Sequence, residues 1–282
     1  MKRSVTLSST STVSYWTYHP EATTTMVLIH GFTGSHEGFQ YIIPLLPNIR
    51  FIVPDLPGFG QSTIGRDDWS IDAIARLANE FVASLELTTP PHILGHSMGG
   101  LVVSSMLDQA PHLYDKRAIL LSPVPTAIRR NDSRRPGAVL GALQYMVGHR
   151  VPKVGERVVK SHTITRAITR LIMTTTDKEL QRQIHDHHLK NLDYISSIEF
   201  YSKLHRDINR LGAIDHAEAL KQFDILLITG NADSVTPLTE MKKLVTAIKP
   251  LEFVILPGVG HLAHYEKAPD VARAIEAFVA KN

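Results

Sequence analysis

Pro91-His92-Ile93-Leu94-Gly95-His96-Ser97-Met98-Gly99-Gly100-Leu101-Val102-Val103 decides how this chain folds. Its first half is a short apolar run opened by prolines, the pattern of a buried strand over residues 91–95. Its second half continues as a helix over residues 98–109, ended by Pro111. Between them stands Gly95-His96-Ser97-Met98-Gly99, a Gly-x-Ser-x-Gly motif in the strand–turn–helix setting its chemistry requires. A sharp turn there lifts the serine hydroxyl above the sheet edge, at the positive end of the following helix. Flanking glycines keep the crowded turn clear of side chains. Ser97 is therefore the candidate nucleophile.

Outward from this turn, short β-rich runs alternate with helical stretches. Residues 25–30 and 50–54 read as buried strands, and residues 12–18 with the segment before them as an N-terminal hairpin. Residues 70–87 follow a helical period through Ile71, Ile74, Leu77, Ala78, Phe81 and Leu85, with Ser70 as cap. Downstream, strands are expected at 117–121, 224–229 and 252–256, and helices at 238–248 and 269–280. This alternation predicts an α/β fold with a mostly parallel sheet. Residues 123–219 break the rhythm. They show no convincing strand, and helical spacing appears at 139–147, 164–173 and, as one longer helix, 180–204. The expected organisation is a core of residues 1–122 and 220–282 carrying a helical lid at 123–219, placed over the strand ends where open α/β sheets bind ligands.

The 282-residue chain has no cysteine, which excludes disulfides, thiolate metal sites and a cysteine nucleophile. Net charge is +3, but residues 123–222 hold 17 Lys and Arg against 10 Asp and Glu. No compact basic stripe with interleaved aromatics accompanies that excess, so no nucleic-acid role is expected. No apolar run reaches membrane-spanning length. The N-terminal residues are followed by Ser/Thr-rich sequence rather than an apolar core, and a soluble cytoplasmic protein is expected.

A serine hydroxyl needs a base to take its proton. Among 15 histidines, His261 stands out, because Gly258-Val259-Gly260-His261 follows the last strand and falls at the same sheet edge as Ser97. His96 adjoins Ser97 in the turn and points away from it. Asp233, in Gly230-Asn231-Ala232-Asp233 after the 224–229 strand, is the candidate partner for the histidine. A helix-cap or turn role is its alternative, and Asp215 and Asp224 are weaker candidates. His30-Gly31-Phe32-Thr33-Gly34 follows the 25–30 strand. The backbone N–H groups of Phe32 and Met98 are the candidate oxyanion donors, and His30 is read as a structural residue of that turn.

These segments, with Asp55-Leu56-Pro57-Gly58-Phe59-Gly60-Gln61-Ser62, resemble the lidded α/β-hydrolase superfamily across the whole chain outside the lid. The order Ser97, Asp233, His261 is similar to that of its triads. The resemblance implies an eight-stranded, mostly parallel sheet, a Ser–His–Asp triad and hydrolysis through an acyl-enzyme without metal or cofactor. Haloalkane dehalogenases and epoxide hydrolases of this fold carry aspartate where this chain has Ser97. Carbon–carbon hydrolases of ring-fission products are similar too, but many have tryptophan where this chain has Leu262.

The expected activity is hydrolysis of a carboxylic ester with a small to medium apolar acyl group. Carbon–carbon hydrolysis of a dienoate and a non-catalytic ligand receptor are the alternatives. Leu140, Leu143, Met146, Val147, Ile168, Leu171 and Ile172 are candidates for the acyl pocket. Arg129, Arg130, Arg134 and Arg135 are read as a solvated loop that could also steer an anionic substrate. His185 and His188 share a helix face at metal-ligand spacing, but a metal would need a further acid or histidine nearby, and they are read as an exposed polar face.

Overall fold

The computed structural model describes residues 1–8, 10–65, 69–127, 144–145 and 152–281. Eight strands form one sheet: β1 (Lys2–Thr6), β2 (Thr12–Tyr18), β3 (Thr24–Ile29), β4 (Ile49–Pro54), β5 (His92–His96), β6 (Arg117–Leu121), β7 (Asp224–Gly230) and β8 (Glu252–Leu256). Their spatial order is β1-β2-β4-β3-β5-β6-β7-β8. β2 runs antiparallel to both β1 and β4, and every pair from β4 to β8 is parallel. The expected eight-stranded, mostly parallel sheet is what forms.

Alternation along the central strands explains the layers. Successive side chains point to opposite faces of a strand. Val27 and Ile29 of β3, Ile93 of β5, Leu120 of β6 and Leu227 of β7 enter one core. Their neighbours Met26, Leu28, Leu94, Leu121 and Leu226 enter the other. With both faces apolar, the sheet needs helices on both sides. On the first face lie α1 (Ile71–Ser84) and α2 (Met98–Gln109). On the second, α8 (Ala268–Val279) buries Val271, Ile275 and Phe278.

Most boundaries fall within a residue or two of expectation, and two differ further. α1 begins where expected, with Ser70 Oγ accepting from the Ala73 N–H at 3.2 Å. It stops at Ser84 rather than 87, because Glu86 adopts a left-handed φ of 48° that a helix cannot continue.

The longer described helices between β6 and β7 are α3 (Pro152–Val159), α4 (His162–Ile172), α5 (Lys178–Lys190) and α6 (Ile198–Ile208). No strand occurs among the described residues there. The single helix expected over 180–204 is two helices, α5 and α6. Ser197 is extended, and its Oγ accepts from the Phe200 N–H, starting a new helix after a turn at Asn191–Tyr194. The break lets the two helices bury different faces. Phe200, Tyr201, Leu204 and Ile208 join the main core, while Ile184 packs with Leu262 and Tyr265. The helix expected over 139–147 lies outside the described residues except for Gln144 and Tyr145. α7 (Leu238–Ile248) follows β7 as expected. No helix among the described residues is long and apolar enough to cross a membrane.

Candidate active site

Because β3, β5, β7 and β8 are parallel, the loops that follow them meet at one sheet edge. Those loops carry His30–Phe32, Ser97, Asp233 and His261. Ser97 sits between β5 and α2 at φ = 56° and ψ = −121°, a region a serine occupies only when its surroundings enforce it. The enforcement is backbone contact. A Cβ on Gly95 would lie 2.3 Å from the Gly99 carbonyl oxygen, and one on Gly99 would lie 2.2 Å from that of Ile29. The first turn of α2 thus rests directly on β5 and β3. The Ser97 N–H donates to the Leu121 carbonyl at 3.1 Å, and the Ser97 carbonyl accepts from the Gly100 N–H at 2.9 Å.

His261 Nε2 lies 2.8 Å from Ser97 Oγ, and His261 Nδ1 lies 2.8 Å from Asp233 Oδ2. All three side chains named in the sequence are therefore joined in one chain of hydrogen bonds, with His261 and Asp233 buried. Asp233 Oδ1 accepts from the N–H groups of Val235 and Thr236, each at 2.8 Å, and Oδ2 also accepts from Thr236 Oγ1 at 2.7 Å. Burial alone would raise this carboxyl. The neighbouring His261 and the donors from Thr236 outweigh it and hold Asp233 below the usual carboxylate range. Thr236 was not singled out from the sequence. Its position three residues after Asp233 is the signal, because that spacing lets a hydroxyl close back on the carboxylate.

The competing acids are elsewhere. Asp215 Oδ2 accepts from the Gly212 N–H at 3.0 Å and closes a local turn. Asp224 is exposed at the opposite end of β7, paired in register with Arg117. His96 points away from Ser97, with Nε2 3.2 Å from the His261 carbonyl. Burial, then the nearby His261, push its ring down to about 3. His30 accepts the Leu56 N–H on Nε2 at 2.9 Å and holds the Gly31 carbonyl with Nδ1 at 2.8 Å. Both ring nitrogens are engaged, so His30 braces the turn. That turn packs against Ser97, since a Cβ on Gly31 would lie 3.2 Å from Ser97 Cβ. Met98 opens α2, so its N–H has no intrahelical acceptor. Among the described residues, no carbonyl accepts from the Phe32 N–H. Both residues line the cavity beside Ser97.

That cavity has a volume of about 250 Å³. Residues of α4, α5 and α6 form the side facing the sheet edge. Of the apolar residues proposed from sequence, Ile168 and Ile172 line it, whereas Leu171 is exposed. Leu140, Leu143, Met146 and Val147, and Arg129, Arg130, Arg134 and Arg135, lie outside the described residues. Walls not foreseen are Tyr145, Leu192, His205 and Ile208. Phe32 meets the rings of Tyr145 and His205 at 5.1 and 5.5 Å between centroids. No Lys, Arg, Asp or Glu is among the described residues that line the cavity. Burial keeps several of its histidines uncharged at ordinary pH: it pushes His188 down to about 3 and His187 and His205 to about 4.

The pair His185 and His188 does not converge on a common ligand set. His188 Nδ1 lies 2.9 Å from Thr169 Oγ1. No group of three or more His, Asp or Glu among the described residues is placed to hold a metal ion.

A serine at the turn after β5, with a buried aspartate and a buried histidine on the loops after β7 and β8, is the arrangement of a hydrolase of the α/β class. Residues 24–268 match the family model described as alpha/beta hydrolase fold, and the chain belongs to that family. It is 25% identical over 275 residues to a pimeloyl-acyl-carrier-protein methyl ester esterase of Yersinia pseudotuberculosis, covering 95% of this chain and 98% of that one. It is 22% identical over 276 residues to the dihydrolipoyllysine-residue acetyltransferase component of the acetoin cleaving system of Pseudomonas putida, covering 93% of this chain but only 65% of that protein's length. The crystal structure of the esterase RhEst1 from Rhodococcus sp. ECU1013 superposes with a TM-score of 0.78 at 21% identity, over 99% of this chain and 98% of that one. At that identity the likeness speaks for the fold.

Proposed function

We propose that the protein hydrolyses uncharged carboxylic esters with small to medium apolar acyl groups, through an acyl-enzyme on Ser97. The observation that carries this reading is the chain Ser97 Oγ–His261 Nε2, His261 Nδ1–Asp233 Oδ2, 2.8 Å at each link, opening into a cavity without charged walls among its described residues. Ser97 Oγ attacks the ester carbonyl carbon while His261 takes the hydroxyl proton. The tetrahedral oxyanion is held by the N–H groups of Phe32 and Met98. Asp233 fixes the His261 tautomer and matches the charge of the imidazolium. The intermediate collapses, the carbon–oxygen bond to the alcohol breaks, and His261 returns its proton to the leaving oxygen. Water then attacks the acyl-enzyme with His261 again as base, which releases the acid and restores Ser97.

The cavity's size limits the acyl group. An enclosed space of about 150 Å³ accepts a benzene ring, so about 250 Å³ suits a ring or short chain with its ester group. The relative named as a methyl ester esterase supports ester cleavage in general. A dienoate substrate for carbon–carbon cleavage carries a carboxylate, and the described walls offer it no cation. The helices of residues 123–219 act as a lid over a core of 1–122 and 220–282, and placement in the cytoplasm rests on the sequence.

The test is turnover of p-nitrophenyl esters from acetate to palmitate by the protein and by Ser97→Ala. The expected result is a maximum at short chains and a fall of at least about a thousandfold in the variant. A folded Ser97→Ala as active as the parent refutes the nucleophile. No turnover of any ester, with turnover of a ring-fission diketone, assigns carbon–carbon cleavage instead. Binding without turnover of either assigns a receptor.

A further inference from the structure

The last turn of α4 makes bonds that the catalytic reading leaves unused. An α-helix ends with carbonyls that lack intrahelical partners. After Ile172 the chain turns extended at Met173, with φ = −86° and ψ = 148°. The two carbonyls exposed by that ending go to the two loops that carry Asp233 and His261. Ser234 Oγ donates to the Leu171 carbonyl at 3.0 Å, and the His261 N–H donates to that of Ile172 at 3.3 Å. Two residues on, Thr174 Oγ1 accepts from the Gly260 N–H at 3.0 Å and donates to Glu266 Oε2. The Thr174 N–H donates to both Glu266 oxygens, at 3.0 and 3.1 Å.

Gly260 shows how close this contact is. A Cβ there would lie 2.7 Å from the Ile172 carbonyl oxygen and 3.0 Å from Thr174 Cγ2. The absent side chain makes room for the extended end of α4, in addition to any freedom it gives the loop. Residues 171–174 therefore touch the backbone immediately before and at the base, and the residue immediately after the acid.

We propose that Leu171–Thr174 is a strap that positions His261 against Ser97, with Thr174 as its principal positioning residue, held in turn by Glu266. The proposal rests on the Ser97–His261–Asp233 reading. Its physical content is that the helical segment is part of the catalytic geometry. Nothing else among the described residues hydrogen-bonds the Gly260 N–H. Removing the Thr174 hydroxyl strands that N–H and frees the loop just before the base. A displacement near 1 Å at a reacting group costs up to about a hundredfold in rate. Since Thr174 does not line the cavity, ground-state binding is spared.

The experiment compares Thr174→Val, which keeps the shape and removes the hydroxyl, with Thr174→Ser, which restores it, on p-nitrophenyl butyrate. The rate of covalent labelling of Ser97 by a fluorophosphonate is measured beside them, together with Tm. The strap predicts that Thr174→Val lowers kcat and the labelling rate by about 10-fold to 100-fold while KM stays within about twofold. Thr174→Ser recovers kcat to within about threefold of the parent, and Thr174→Val stays folded with Tm lowered by only about 2–6 °C, because one buried N–H loses its partner. Parental kcat in Thr174→Val overturns the proposal. So does an equal loss in Thr174→Ser, or an effect confined to KM. Ser97→Ala, run alongside, separates the two readings. If it retains activity the catalytic assignment has failed. If it is inactive while Thr174→Val matches the parent, the strap alone has failed.

Discussion

Replacing Asp233 by Asn tests the catalytic reading with a change of one atom and a consequence that follows from the hydrogen bonds around it. Asp233 Oδ1 accepts two backbone N–H groups, from Val235 and Thr236, at 2.8 Å each. An amide nitrogen there would face two donors, so the Asn carbonyl oxygen must take that place. Its NH₂ then falls where Oδ2 was, 2.8 Å from His261 Nδ1. The NH₂ can only donate, so Nδ1 must accept, and the ring proton moves to Nε2. Nε2 faces Ser97 Oγ at 2.8 Å and can no longer take its proton. An inverted tautomer of this kind costs about 10⁴-fold in kcat, or about 5.5 kcal/mol of barrier. The Thr236 hydroxyl, 2.7 Å from the same position, can rotate to accept from the NH₂, so the loop stays satisfied and the fold survives. The assay is kcat on p-nitrophenyl butyrate, with circular dichroism and a thermal melt to establish folding. A folded Asp233→Asn variant retaining more than about a tenth of parental kcat refutes the argument, because no arrangement of the wrong tautomer sustains that rate.

Two further outcomes probe the frame that holds the site. Gly99→Ala puts a Cβ 2.2 Å from the Ile29 carbonyl oxygen and 2.6 Å from that of His30, both backbone atoms; it should cost about 3 kcal/mol or more, lowering Tm by roughly 6 °C, and an unchanged melt would show that α2 does not rest on β3. The buried rings of His96 and His188, pushed down to about 3, and of His205, pushed down to about 4, owe their shifts first to burial. An unfolded histidine titrates near pH ~6.5, so below that the unfolded chain binds protons the native rings refuse, and each ring removes about 2 kcal/mol of stability at about pH 5. Melting temperature should therefore fall steeply from about pH 6.5 downward, and equal values at about pH 7 and about pH 5 would contradict it.

What the sequence made legible is what local pattern encodes. The turn at Ser97 could be read because strand, glycines and helix are consecutive. The strands could be read because a sheet buried on both faces demands continuous apolar runs such as Met26 to Ile29. Asp233 could be placed on a loop at the sheet edge of Ser97, but its separation from Asp215 and Asp224 needed the third dimension: Asp224 begins the same strand whose far end leads to Asp233. The break between α5 and α6 stayed hidden because Ser197 interrupts a pattern that remains apolar at helical spacing on both sides. Ile168 and Ile172, four apart, line the cavity together, while Leu171 is exposed. Leu171 stands three residues from Ile168, also a same-face spacing, so the packing of α4 and not its period decides which of them meet the cavity. The bond from Gly260 to Thr174 joins residues 86 apart in the chain. No periodicity announces such a contact, and the glycine that permits it reads from sequence as a turn residue.

The positive balance of residues 123–222 invites a reading as a substrate-steering charge, and the structure argues for a different division of labour. Several of its cations are spent on nearby acids at the surface: Arg182 on Glu179 and Asp186, Lys160 on Glu156, Lys221 on Glu218, and Lys190 on Glu37. Inside, several of the polar walls are histidines that burial keeps uncharged. That neutrality bears on the chemistry. The His96 ring centroid lies 5.1 Å from that of His261. A charged His96 there would oppose the imidazolium that must form on His261 by about 3 kcal/mol at an effective dielectric of about 20, enough to slow the first step roughly a hundredfold. Burial of His96 removes that opposition at neutral pH, and its contact with the His261 carbonyl turns the same ring into a support for the loop. On the proposed mechanism, charge develops in the cavity only where matching groups await it: negative charge before the N–H groups of Phe32 and Met98, positive charge beside the Asp233 carboxylate.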